Sequence, residues 1–177
     1  MQITAIEPFL DYFEGFRKRT LRVADRIPPD RIEWSYRAGK FSCGDILRHL
    51  GAIERYMFVE NACGRPSRYP GHSPELAAGY LAVRAFLDRM HAESVELLSG
   101  LGPEDLTKKC VTPAGTPITV WKWLRAMVEH EAHHRGQIYL YLALLGIEGP
   151  PLYGLTEEEV AARSLPRGEG VGPGSSR

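Results

Sequence analysis

At 177 residues and 44% hydrophobic content, the chain is sized for one domain with a real core. Its 22 lysines and arginines balance 22 aspartates and glutamates, so it has no electrostatic footprint for nucleic acid or an anionic membrane surface. No window of roughly eighteen residues is apolar and uncharged, and Met1-Gln2-Ile3-Thr4-Ala5-Ile6-Glu7 lacks the basic stretch and apolar core of a signal peptide, which predicts a cytoplasmic protein.

In chain order, Ile6, Phe9, Leu10, Phe13, Phe16, Leu21 and Val23 recur mostly every three or four residues and predict a first helix from about Thr4 to Arg26, ended by Pro28-Pro29. Ser42-Cys43-Gly44-Asp45 reads as a capping-box variant opening a second helix that runs to about Ala62. The stretch from Gly64 to Gly71, with Pro66 and Pro70 inside it, predicts a loop. Ser73-Pro74-Glu75 has the signature of a helix start, and a third helix is expected from there to about Ser99. Gly100, Gly102 and Pro103 stop it. Thr112 to Pro117 is read as a turn, with Val111 and Ile118 too isolated to predict a sheet. A fourth helix is expected from about Thr119 to Leu145, followed by a short one after Thr156 and a disordered tail from Ser164. The predicted architecture is all-α: a single four-helix-bundle domain over residues 1–163, with a short extra C-terminal helix, and a tail over 164–177.

Cys43, Cys63 and Cys110 are odd in number and far apart, so they are read as reduced, small apolar residues. Three of the six histidines fall in Val128-Glu129-His130-Glu131-Ala132-His133-His134-Arg135-Gly136-Gln137. At about 100° per residue, His130 and His134 project together with Trp123 and Tyr141 on one flank of the core face, whereas His133 turns toward solvent. Two imidazoles one turn apart on a half-buried flank cannot both be protonated cheaply, and a shared metal ion removes the difficulty. On the second helix Ile46, Leu50, Ile53 and Met57 form the apolar stripe, with His49 to one side of it near Tyr56 and Glu60. Packing of the two helices could bring His49 alongside the pair, and three protein ligands would leave a position open for chemistry. His72 and His91 have no partner at ligand spacing and are read as ordinary residues.

The run from His130 to His134 also satisfies H-E-x-x-H, in which Glu131 would be a general base. The further glycine and histidine of one such protease class are missing, and no sheet accompanies the motif. Glu131 could equally hold an imidazole or pair with Arg135. Arg135 and Gln137 are candidates to orient an anionic substrate, and Trp123, Tyr56 and Tyr141 are candidates to line a pocket or merely to pack.

Ile46-Leu47-Arg48-His49-Leu50 following Trp34 and Phe41-Ser42, and then the run from Val128 to Ile138, resemble the DinB/YfiT-like superfamily in order and spacing over residues 5–147. The resemblance implies a four-helix bundle, often dimeric, with a divalent metal held at His49, His130 and His134. It further implies a small-molecule substrate and, in members with assigned chemistry, mostly thiol transfer or isomerisation with a low-molecular-weight thiol such as bacillithiol or mycothiol. The DNA-damage name of the family refers to induction and implies no DNA binding. The leading expectation is a thiol S-transferase using zinc, or alternatively nickel or iron, and acting on small electrophiles. The alternatives are a metal-dependent hydrolase and a non-catalytic, dimeric metal-binding module.

Overall fold

Helix α1 (Ile6–Ala24) buries Ile6, Phe9, Phe13, Phe16 and Val23, the spacing that lays one helix face against a core. The computed structural model, which describes residues 2–164, continues with α2 (Cys43–Ile53). Its first turn closes through a reciprocal capping box: Asp45 N–H donates to Ser42 Oγ at 3.0 Å, and Ser42 N–H donates to Asp45 Oδ2 at 2.9 Å. Without a break, α2 passes into a π-helical stretch, Glu54–Val59, and a last turn, α3 (Glu60–Ala62). Then come α4 (Tyr80–Ser99), the one-turn α5 (Pro103–Thr107), strands β1 (Lys109–Val111) and β2 (Pro117–Thr119), the long α6 (Val120–Leu144) and α7 (Glu157–Ser164). Helix α2 packs on α4 and α6, and α1 packs on the same two, so the long helices close into a four-helix bundle. Among the described residues, no helix is long and apolar enough to cross a membrane.

Three local expectations are corrected. The third helix does not begin at Ser73: a single turn forms there, with Leu76 N–H donating to Ser73 O, and α4 starts only at Tyr80. Gly79 sits at φ +82°, and the Ala77 carbonyl is taken by Arg48 Nη1 at 2.9 Å, so the helical ladder cannot run through this stretch. Val111 and Ile118 do belong to strands. Cys110 pairs opposite Ile118, Cys110 is buried against the bundle, and Gly115 at φ +78° turns the chain between the strands. The apolar stripe of the second helix also shifts, because beyond Ile53 the buried apolar positions are Phe58, Val59 and Ala62 rather than Met57. The π stretch takes up one extra residue and re-phases the residues beyond it. The C-terminal helix is present, capped by Thr156 Oγ1 accepting from Glu159 N–H at 3.2 Å. Ser164, where a tail was expected to begin, is its last residue, and 165–177 lie outside the described residues.

The core divides in two. One apolar cluster gathers Val23, Ile46, Leu47, Leu50, Val83, Leu87, Met90, Ile138 and Leu142, and the other gathers Ile6, Phe9, Phe13, Phe58, Leu98, Leu124 and Met127. Where each long helix passes from one cluster to the other it carries buried polar residues: Arg17 and Thr20, Glu54, His91 and Ser94, and Glu131 with His134 and Arg135. This belt is held by ion pairs. Arg17 donates to Glu54 and lies 3.0 Å from Glu131 Oε2, while His91 sits 3.0 Å from both Glu54 Oε1 and Glu14 Oε2.

Candidate metal centre

Helix periodicity alone stacks His130 and His134 one turn apart on α6, and their Nε2 atoms are 3.1 Å apart. The packing of α2 on α6 brings His49 Nε2 to 3.1 Å from His130 Nε2. The three rings form a group whose ligand-capable atoms all lie within 4.8 Å of one another. The structure thus brings together the three residues singled out on spacing, and it does so through nitrogens that point at one another.

The hydrogen bonds behind the rings decide which nitrogens face inward as lone pairs. Gln137 offers its amide N–H to His133 Nε2 at 3.2 Å, which turns its Oε1 to His134 Nδ1 at 2.7 Å. An amide oxygen only accepts, so the His134 proton sits on Nδ1 and Nε2 presents a lone pair to the cluster. On the other helix, His49 Nδ1 lies 2.6 Å from the Tyr69 hydroxyl, which can accept its proton in the same manner. Burial pushes the His49 imidazole down to about 3, with the neighbouring His134, His130 and His72 adding repulsion. Burial and the charges of His134 and His133 take His130 down to about 4. His134 is lowered by burial as well, although its bond to Gln137 opposes this. Neutral imidazoles with converging lone pairs repel one another unless a cation or a shared proton lies between them, and a donor set of three such nitrogens fits a divalent metal with an open position.

Arg48, next to His49 and fully buried, fixes the surroundings. Its five N–H groups all find acceptors: His72 O from Nε, Glu33 and Ala77 O from Nη1, and Glu33 and Asp45 from Nη2. The loop that carries Tyr69 and His72 is thereby tied to the start of α2. Phe41 completes this wall, edge-on to His49 at 5.6 Å and against His72 at 4.1 Å between ring centres. On the opposite side Phe58 lies 5.7 Å from the His130 ring.

The other candidates are distributed differently. Glu131 is sealed in the belt with Arg17 instead of holding an imidazole or pairing with Arg135, and burial lifts its carboxyl above the ordinary carboxylate range. Arg135 is buried with its guanidinium 4.2 Å above the Phe16 ring, away from any rim. Gln137 supports His134. Trp123 lies tilted against Phe58 at 4.5 Å between ring centres, one ring removed from His130, and Tyr141 donates its hydroxyl to the Phe41 carbonyl at 2.8 Å. Tyr56 flanks Arg55 and Arg68. Sequence reading missed Tyr69, Phe41 and Phe58, which no periodicity links to the histidines, and it gave His133 and His72 no part in the arrangement. The three cysteines are free thiols.

The sequence profile of the DinB superfamily matches residues 12–138. The chain belongs to the DinB superfamily. Two DinB-like crystal structures share its fold. One, from Bacillus cereus ATCC 10987, has a TM-score of 0.69 at 20% identity over 84% of this chain and 97% of the other. The second, YjoA of Bacillus subtilis, has a TM-score of 0.67 at 20% identity over 82% of this chain and 98% of the other. No curated protein matches the chain. Within this DinB fold the histidine triad is a group that could hold a metal ion.

Proposed function

We propose that this DinB protein is a metal-dependent enzyme in which His49, His130 and His134 hold one divalent cation, and that it transfers a low-molecular-weight thiol to small electrophilic molecules. The observation that carries the metal reading is the convergence of three neutral imidazole nitrogens, two of them with their far nitrogens engaged by Tyr69 and Gln137. Zinc suits three imidazoles with an open position, and nickel and iron accept the same donors. When bound, such a cation supplies one thing, a lowered pKa for a thiol or water beside it, so that a nucleophile exists at neutral pH. The chain's own residues do the rest. Gln137 keeps the His134 proton on Nδ1, Tyr69 orients His49, and Phe41 and Phe58 exclude water from the two sides of the cluster. The thiol step rests on the resemblance of the segments around His49 and His130 to superfamily members that use such thiols.

The test begins with elemental analysis of protein purified without added ions, where about one metal per chain is expected and His134→Ala is expected to retain little. The metal-loaded protein is then offered cysteine, bacillithiol and mycothiol with 1-chloro-2,4-dinitrobenzene. In that reaction the thiol sulfur bonds to the ring carbon, chloride leaves with the bonding pair, and the thiol proton goes to water. Thioether formation that chelation abolishes supports the proposal. Hydrolysis of activated esters without any thiol would replace it with a hydrolase reading, and bound metal with neither activity would leave a non-catalytic module.

A further inference from the structure

The loop that supplies Tyr69 also forms one wall of a cleft of about 780 Å³, whose opposite wall is the β1–β2 hairpin. Arg65, Arg68 and Lys109 line it, and no acidic residue does. That is a local concentration of positive charge on a chain whose net charge is zero. The volume lies within the range of roughly 300–1,000 Å³ usual for small-molecule sites.

Behind the cationic wall sits Glu60, 1% exposed. It accepts from Arg68 Nη2 at 2.7 Å and Arg55 Nη1 at 2.6 Å, and forms an ion pair with Arg65 Nε at 2.6 Å. One buried carboxylate therefore orients two guanidiniums by one edge each and leaves N–H groups of both uncommitted among the described residues. A planar fork of this kind matches two oxygens of an incoming carboxylate or phosphate.

A second, independent feature points the same way. Asn61 lines the cleft and is 3% exposed, and its Nδ2 donates to Arg65 O at 3.0 Å. Its Oδ1 has no hydrogen-bond partner among the described residues. A buried amide oxygen without a partner is costly to the fold, and a donor on a bound molecule would recover that cost. Phosphate fits less well. Its usual cradles are helix N-termini and clustered backbone N–H groups, whereas the helix that contributes to this cleft does so with its C-terminal turn, at Asn61.

We propose that this cleft binds a small organic carboxylate carrying an adjacent N–H or O–H donor and delivers it to the histidine centre, with Arg65, Arg68 and Lys109 taking the carboxylate and Asn61 Oδ1 the donor. Tyr69 is the link, since it lines the cleft while its hydroxyl holds His49. The ligand's role as substrate rests on the metal-centre reading, whereas its binding does not.

The test is an amide chemical-shift titration of the full ¹⁵N-labelled chain with N-acetylglycine, with its methyl ester and inorganic phosphate as comparisons. Saturable shifts within residues 61–69 and 109–115 are expected with N-acetylglycine and absent with the ester. The pair Arg65→Ala and Arg68→Ala, with Arg55 still on Glu60 and the fold checked by unchanged bundle amide shifts, should weaken binding about tenfold or more, as should Asn61→Asp. Equal binding of the ester, tighter binding of phosphate, or no saturable shift would overturn the assignment. Repeating the titration with Co2+-loaded protein tests delivery: the bound acetyl protons should relax faster than with Zn2+. Unchanged relaxation with Co2+ bound would make the cleft a separate site. Failure of the protein to take up Co2+, with N-acetylglycine still binding, would defeat the metal reading and the substrate role together while leaving the carboxylate site standing.

Discussion

His130 and Glu131 are consecutive residues on α6, yet one joins a cluster of like groups at the flank of the bundle and the other a belt of opposite charges at its centre. In the belt, Arg17, Glu54, Glu131 and His91 meet opposite charges from other helices, whereas Arg135 lies over the Phe16 ring. Burial raises Glu131, but Glu54 stays below the ordinary carboxylate range against its own burial, through the charge of Arg17 and the bond to His91. The histidine cluster has no internal counter-charge, and its polar partners lie behind the rings rather than between them. Opposite charges that meet across helices hold a fold together. Like groups that converge with no counter-charge between them are a place for a ligand.

The hardest blow to the belt is Arg17→Met, which leaves Glu54 and Glu131 buried around an uncharged side chain. Unfolding in urea should show a loss of about 3–5 kcal/mol, with no special effect on metal uptake by the fraction that remains folded. An unchanged midpoint would mean that the belt is not a charge-paired core. His134→Ala should do the reverse. In chelator its stability should stay within about 1 kcal/mol of the parent chain, but the gain of about 2.7 kcal/mol that the parent draws from metal at a hundredfold excess over Kd should vanish. A His134→Ala variant still stabilised by metal would move the ion elsewhere. Smaller again is Gln137→Ala, which frees the His134 proton to change nitrogens. Metal affinity should fall about 10–100-fold by competition with a chromophoric chelator, with the ligands themselves intact.

The mildest comparison uses pH. Burial pulls the His91 imidazole down, but hydrogen bonds and charge from Glu54, with help from Glu14 and against the repulsion of Arg17, leave its pKa raised. A group raised on folding contributes stability that is complete below its unfolded value of about 6.5 and is lost as pH rises through the folded value. Measured in chelator, the parent chain should therefore lose stability from about pH 6.5 upward relative to His91→Gln. The difference between the two should be flat if the imidazole is uncharged.

The range of each interaction decides whether it can be read from the chain alone. The Ser42–Asp45 box, the α6 register and the pairing of His130 with His134 are local, and periodicity with cap chemistry reveals them. His49 was visible as a flank residue, but its meeting with α6 depends on how two helices pack. Glu131 and Arg135 stood out on α6, but the belt escaped notice because nothing local links them to Arg17, Glu54 or His91 on other helices. Tyr69 and Phe41 come from loops, where nothing periodic marks direction. The stripe of the second helix failed past Ile53 for a specific reason: a projection at about 100° per residue assumes one helix type, and Glu54–Val59 is another.

The fully committed guanidinium of Arg48 has a consequence for how anything reaches the histidines. It grips side chains or carbonyls at positions 33, 45, 72 and 77. Swinging the segment over the cluster aside would strip several of these bonds at once, at about 1–3 kcal/mol for each buried group left bare. The wall that carries Tyr69 and His72 is accordingly a fixed part of the socket, not a flap that folds down after a guest arrives.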